Sequence, residues 1–159
     1  MGLDTTHDAY HGGYGGYSIM REALGRAAGW TMDPGKHMVA VDWGPDSRDV
    51  IDEKHPAYAR ARFGEIDRDE WPWDPIIFLW AHEDCDGIIK PAMAGAIADR
   101  IEELLPKVDA ATEQFASGWT EAYAAAHPEY ERRTTTTLAT RFARGLRLAA
   151  RRNEKVTYR

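Results

Sequence analysis

Cysteine is almost absent from this chain of 159 residues, and long apolar runs are missing altogether. The single Cys85 excludes an intrachain disulfide and is typical of a protein in a reducing compartment. No apolar run approaches the roughly 20 residues that a membrane-spanning helix needs, and the start MGLDTTHDAY lacks the basic and apolar regions of a signal peptide. We therefore expect a cytoplasmic protein without a membrane partner.

Positive charge is concentrated at one end of the chain. The net charge is −6, but residues 132–159 contain eight arginines and Lys155 against one acid, Glu154. That segment carries +8, so the remaining residues carry −14. The split predicts either a phosphate-bearing partner for the last segment or internal pairing between an Arg-rich helix and an acidic body. The acidic chain has no recognisable nucleic-acid motif, so sequence-specific nucleic-acid binding is not expected.

The composition and periodicity predict a mainly helical fold. Hydrophobic residues make up 43% and charged residues 29%, as in folded globular proteins. Apolar residues recur with a helical period in four segments. These segments are 18–29, 91–106, 109–126 and 134–152.

The predicted strands are few. HMVAVDW (37–43) has the composition of a strand, and KVTYR (155–159) could be a terminal strand pairing with it. Residues 76–81 are apolar throughout, but Asp74 followed by Pro75 favours a helix start. We expect one α+β domain, residues 1–159, mainly helical with a small two- or three-stranded sheet.

The stretch HEDCDG offers the densest set of metal ligands in the sequence. His82 can supply an imidazole nitrogen, and Asp84 and Asp86 can supply carboxylates, a mixture that suits Zn²⁺ or Mn²⁺. A hydroxide formed on such an ion would serve hydrolysis, with Glu83 as a candidate general base. The alternative is a polar turn between helices in which the aspartates cap backbone groups.

A second cluster of ligand-type residues lies near the N-terminus. His7 and His11 are four residues apart, and Asp8 lies between them as a further candidate base. Catalytic metal sites often gather three protein ligands from separate segments, so we predict that His7 or His11 lies near His82. The alternative is that Asp8 caps the following helix and both histidines are surface residues.

Two further features suit a phosphorylated ligand. Four glycines within residues 12–16 predict a tight loop whose backbone amides, together with Tyr14, could hold an aromatic phosphorylated molecule. On the last helix, Arg144 and Arg147 are candidates to contact its phosphate. The alternative for these arginines is a solvated helix face.

The segment HEDCDGI after an apolar run resembles the H-x-D-x-D-G signature of the DHH phosphoesterases. In that family the His and Asp residues hold Mn²⁺, and the substrate carries phosphate. The similarity is confined to this short segment: the chain contains no DHH triplet and is too short for both domains of that family.

A wider resemblance rests on MGLD-T-THD-x-x-HG at the start, H-x-DCDG-x-I in the middle and F-x-x-GLR-x-A near the end. This arrangement is similar to that of a family of short, uncharacterised proteins of bacteria and their phages. The chain departs from that pattern in having Glu83 where Ser is expected and Ile88–Ile89 where an acidic residue is usual. The resemblance implies a shared site at the two clusters but no particular chemistry.

These observations support two principal hypotheses. The first is a small protein that binds a divalent metal and hydrolyses a phosphorylated or nucleotide-like molecule. The second is a non-catalytic, phage-type protein, expected as a homo-oligomer, that sequesters a nucleotide signal or binds a host protein. A purely structural role would leave HEDCDG as a capped turn.

Overall fold

The structure, a computed structural model, describes residues 2–32, 38–40, 54–82, 87–113 and 135–159. Within these ranges the chain is mainly helical with short antiparallel strands, which confirms the predicted α+β class. The α-helices are α1 (Tyr14–Ala27), α2 (Pro56–Ala61), α3 (Pro75–Ala81), α4 (Pro91–Glu113) and α5 (Thr135–Arg152). Among these helices, none is both long and apolar enough to cross a membrane.

The described strands form three two-stranded antiparallel sheets. The pairs are β1 (Gly2–Asp4) with β2 (His11–Gly13), β3 (Trp30–Met32) with β4 (Met38–Ala40), and β5 (Ile88–Ile89) with β6 (Val156–Thr157). The C-terminal strand was therefore correctly predicted, but its partner is β5 and not residues 37–43. Residues 38–40 pair locally with β3 instead, and such a short connection costs little loop-closure entropy.

The two ends of the described chain lie side by side. Thr5 forms an isolated antiparallel bridge with Tyr158. Asp4 and Arg159 exchange backbone hydrogen bonds of 3.1 and 2.9 Å, and the Tyr158 amide donates to the Gly87 carbonyl at 3.1 Å. The N-terminal segment and the residues around β5 therefore meet on the C-terminal segment.

The pairing of α4 with α5 forms much of the core. On α4, Met93, Ile97 and Ile101 are fully buried at intervals of four residues, as the helical period predicts. On α5, Phe142 and Leu146 are fully buried in the same way. The helical period predicted for residues 91–106 and 134–152 therefore matches the buried positions of both helices.

Helix α3 explains why residues 76–81 are apolar throughout. The Asp74 side chain accepts a hydrogen bond from the Ile76 amide, and Pro75 takes the first helical position. Ile76, Ile77 and Phe78 are all fully buried, so this short helix has no solvated face and shows no helical period. The cap, and not the periodicity, correctly indicated a helix.

Two local predictions were wrong. Pro106 does not end α4, which continues to Glu113. The predicted helix 109–126 therefore begins as part of α4, and residues 114–126 lie outside the described ranges. An internal proline costs about 3 kcal/mol, but the fully buried Leu104 and Val108 continue the core face past it and offset that cost. The glycines of residues 12–16 form β2 and the first turn of α1, not a loop.

Candidate functional site

A groove with a volume of about 890 Å³ lies between α4, α5 and the 3-10 turn Thr6–Asp8. Its walls combine cations, hydroxyls, two acids, one imidazole and several apolar side chains. They include Arg141, Arg144, Arg147, Arg151, Thr136, Thr137, Thr140, Asp8, Glu102, His7, Leu105, Ala143 and Leu148.

The groove contains a row of arginines because of the spacing on α5. Arg141, Arg144, Arg147 and Arg151 recur every three or four residues, which places them on one side of a helix. The fully buried Phe142 lies on the core side. The helix therefore separates its apolar and cationic residues.

Two of the four arginines are neutralised by carboxylates. Arg147 Nη2 lies 2.8 Å from Asp99 Oδ1 and 2.7 Å from Glu102 Oε2, both on α4. Hydrogen bonds to Glu102 and Asp99 raise the pKa of Arg147 above its ordinary value. The Arg141 guanidinium donates to the Asp8 carboxylate.

The other two arginines, Arg144 and Arg151, are exposed to solvent in the groove. Neither forms an ion pair or a side-chain hydrogen bond with any residue that the structure describes. An arginine is always charged at physiological pH and presents several N–H donors in a planar fork. These two guanidinium groups are therefore ready to bind an anion.

The Thr6–Asp8 turn has unusual backbone geometry. His7 has φ 63° and Asp8 has φ 53°, so two consecutive non-glycine residues lie in the left-handed region. Such conformations cost on the order of 1 kcal/mol or more per residue and persist only where the surroundings enforce them. The turn therefore needs strong external contacts.

Those contacts come from α5 and the C-terminal segment. His7 Nε2 lies 2.6 Å from Glu154 Oε2, and its Nδ1 lies 3.1 Å from Thr6 Oγ1. The next residue, Ala9, packs so closely on α5 that a Cβ at Gly145 would lie 2.3 Å from the Ala9 Cα. Glycine at this position lets the turn rest directly on the helix backbone, which brings His7 and Asp8 to the groove.

The structure brings four of the predicted site residues together. His7, Asp8, Arg144 and Arg147 all line the groove, although they come from opposite ends of the sequence. His11 does not line it: its imidazole is exposed, with Nδ1 3.5 Å from Asp4 Oδ1.

His82 belongs to the core. It is 3% exposed and packs against Phe78 and Tyr158, with ring centroids 5.3 and 4.8 Å away. Its Nε2 donates a hydrogen bond to the Ile88 carbonyl at 3.0 Å. A nitrogen that donates a hydrogen bond has no lone pair for a metal, so Nε2 is not a ligand in this arrangement.

The remaining candidates are only partly covered by the described residues. Glu83, Asp84 and Asp86 lie outside those residues, so the metal site at HEDCDG stays a prediction. Within the ranges given above, no group of three or more His, Cys, Asp or Glu side chains is placed to hold a metal ion. Tyr14 begins α1.

The N-terminal glycines have a packing role. The Tyr10 hydroxyl donates to the Gly13 carbonyl at 2.9 Å, and the ring is buried. A Cβ at Gly16 would lie 2.8 Å from the Tyr10 hydroxyl oxygen, and one at Gly12 would lie 3.2 Å from it. The glycines therefore make room for Tyr10.

Sequence reasoning missed Arg141 and Gly145 as parts of the site. Arg141 lies three residues before Arg144, so the same helical spacing could have found it. Gly145 lies within the GLR motif, but nothing in the local sequence indicates that Ala9 packs on it. Glu102 and Glu154 also gave no signal, because their partners are distant in sequence.

The chain matches no family model, and no similar curated protein or solved structure was found. The resemblance to short bacterial and phage proteins therefore stays a prediction.

Proposed function

We propose that this protein binds a phosphorylated small molecule, such as a nucleotide, in the groove between α4 and α5. The observation that carries the proposal is the pair Arg144 and Arg151, which line the groove and have no carboxylate partner among the described residues. Arginine suits phosphate because its planar N–H groups can donate two parallel hydrogen bonds to phosphate oxygens.

The other properties of the groove support the same ligand class. Small-molecule sites have volumes of about 300–1,000 Å³, and the volume here is about 890 Å³. Thr137 and Thr140 also line the groove and add polar surface to one part of it. Leu105 and Leu148 contribute apolar surface for an organic moiety.

Binding without turnover is the form of the proposal that the groove supports best. Its acid–base groups are already engaged: Asp8 with Arg141, Glu102 with Arg147, and both ring nitrogens of His7 with Glu154 and Thr6. Among the charged lining residues that the structure describes, Arg144 and Arg151 are left for a ligand. Metal-dependent hydrolysis, the other function predicted from the sequence, would need residues outside this set.

The test is calorimetric titration of nucleoside mono-, di- and triphosphates into wild-type protein and into Arg144→Gln and Arg151→Gln. A hydrogen bond to a charged group contributes about 1.5–3 kcal/mol when formed, and about 1.4 kcal/mol is a tenfold change in Kd. For each nucleotide that binds, at least one of the two variants is therefore expected to weaken binding at least tenfold. Arg152→Gln is the matched control, because Arg152 is an exposed neighbour that does not line the groove.

The same protein distinguishes binding from hydrolysis. After incubation and heat denaturation, chromatography of the supernatant should return the nucleotide intact. Recovery of a cleaved product that depends on added Zn²⁺ or Mn²⁺ would favour the hydrolase instead. No binding of any nucleotide, or equal binding by Arg144→Gln, Arg151→Gln and the control, would refute the proposed function.

A further inference from the structure

Arg144 and Arg151, which have no carboxylate partner among the described residues, stand apart along one side of α5. Arg144 and Arg151 are separated by seven residues, which is about 10 Å along a helix axis and almost two full turns. They therefore point in nearly the same direction from two different levels of the groove. Both are exposed, and neither has a partner in the part of the chain that the structure describes.

The surface between the two arginines includes exposed apolar side chains. Leu148 lies four residues after Arg144 and is 38% exposed, which is unusual for a leucine. Leu105 of α4 lines the same groove. Arg147 also lies between the two levels, but it pairs with both Asp99 and Glu102, so this cluster has no net positive charge to attract a phosphate. The order along the groove is thus a cation, apolar surface beside the Arg147 ion pairs, and a second cation.

From this order we infer that the ligand carries two separate phosphate groups, one at each end of an uncharged organic centre. The inference rests on the proposed function and names its ligand class: a nucleoside 3′,5′-bisphosphate type of molecule, not a nucleoside with contiguous phosphates. One phosphate binds Arg144 and the other binds Arg151, while the sugar and base lie against Leu148 and Leu105.

A chain of contiguous phosphates fits the same residues less well. Its charges are concentrated at one end of the molecule. If both phosphates bind at one arginine, the other guanidinium has no phosphate to bind. If they extend towards the second arginine, charged oxygens lie over Leu148. Apolar surface contributes to affinity only where it covers apolar ligand surface. At the opposite end of the row, the Asp8 carboxylate already occupies Arg141 and repels a further phosphate.

Isomeric ligands provide a sharp test. Adenosine 3′,5′-bisphosphate and ADP have the same atoms and the same number of phosphates, and differ only in where the phosphates are attached. The guanosine pair provides the same comparison with another base. For at least one base, the bisphosphate is expected to bind at least tenfold more tightly than its diphosphate isomer in calorimetric titration at fixed salt.

The monophosphates test which arginine serves which phosphate. Arg144→Gln and Arg151→Gln should each weaken the bisphosphate at least tenfold, whereas Arg152→Gln should not. The nucleoside 5′-phosphate should lose affinity in one of the two variants and keep it in the other. The nucleoside 3′-phosphate should show the opposite pattern.

The outcomes separate this inference from the proposed function. The inference of two separate phosphates is wrong if the diphosphates bind as tightly as the bisphosphates. It is also wrong if one variant weakens the binding of both monophosphates and the other weakens neither. In both cases the groove still binds phosphate. If no member of either set binds, the proposed function fails as well.

Discussion

Replacing Gly145 with alanine is expected to destabilise the protein, although alanine is the better helix former. Alanine in a helix interior is favoured over glycine by about 1 kcal/mol. At Gly145, however, a Cβ would lie 2.3 Å from the Ala9 Cα, 2.5 Å from its Cβ and 2.7 Å from its nitrogen. These are mainly backbone atoms, so no flexible side chain can move aside. Overpacking of this kind costs about 1–3 kcal/mol.

The contact can be relieved only by moving the Thr6–Asp8 turn away from α5. That movement would stretch the 2.6 Å contact between His7 and Glu154 and the ion pair between Asp8 and Arg141. We therefore expect the overpacking cost to exceed the helix-propensity gain, with a net loss of about 1 kcal/mol or more in the free energy of unfolding. For a chain of this size, about 1 kcal/mol corresponds to a fall of roughly 2–4 °C in Tm.

Gly95 is the matched control. It lies inside α4, and a Cβ there would meet the Ala150 Cβ at 3.5 Å, which is an ordinary van der Waals distance. Gly95→Ala should therefore keep most of the helix-propensity gain and stabilise the protein by about 0.5–1 kcal/mol. Urea denaturation followed by circular dichroism measures both free energies. If Gly145→Ala is as stable as the wild type or more stable, the close packing of Ala9 on α5 is wrong.

Two further predictions concern local electrostatics. Asp74→Ala should lower the free energy of unfolding by about 1–2 kcal/mol through loss of the α3 cap, and it also removes the 2.9 Å contact with Arg100. Asp74→Asn keeps a capping side chain, so its loss of stability in urea denaturation should be smaller. Equal losses in the two variants would assign the effect to the ion pair. The hydrogen bond from Arg60 lowers the pKa of Glu70 from 4.5 to about 2, so this pair stabilises the fold above pH 4.5 and the contribution is lost as the pH falls towards 2. Carboxyl NMR titration should show the low pKa of Glu70 in the wild type and a return of that pKa towards 4.5 in Arg60→Gln. An unchanged Glu70 pKa in this variant would contradict the pairing.

Much of the fold could be predicted because its signals are local. The helical period of α4 and α5 indicated their buried faces, and the Asp74–Pro75 sequence indicated the start of α3. Pro106 misled the prediction for a tertiary reason: the buried face of α4 continues beyond it through Val108, and packing overrides the local cost of the proline.

The candidate site was predictable only in part. The sequence singled out the THD and GLR motifs separately, but their contact through Ala9 and Gly145 joins positions far apart in the chain. HEDCDG indicated His82 as a ligand because its residue types suit a metal, and this stays a prediction because Asp84 and Asp86 lie outside the described residues. In the folded chain the imidazole lies between Phe78 and Tyr158 and donates to a backbone carbonyl, and no local pattern indicates that burial.

By itself, the sequence determined that the last helix would carry a row of arginines opposite an apolar face, because helical spacing alone settles which side chains share a side. Only the tertiary structure decided which of those arginines are available. Asp8 neutralises Arg141, and two acids of α4 neutralise Arg147, whereas Arg144 and Arg151 have no such partner among the described residues. The physical reason is that charge compensation depends on distances between side chains across space, and a residue's sequence neighbours do not specify those distances.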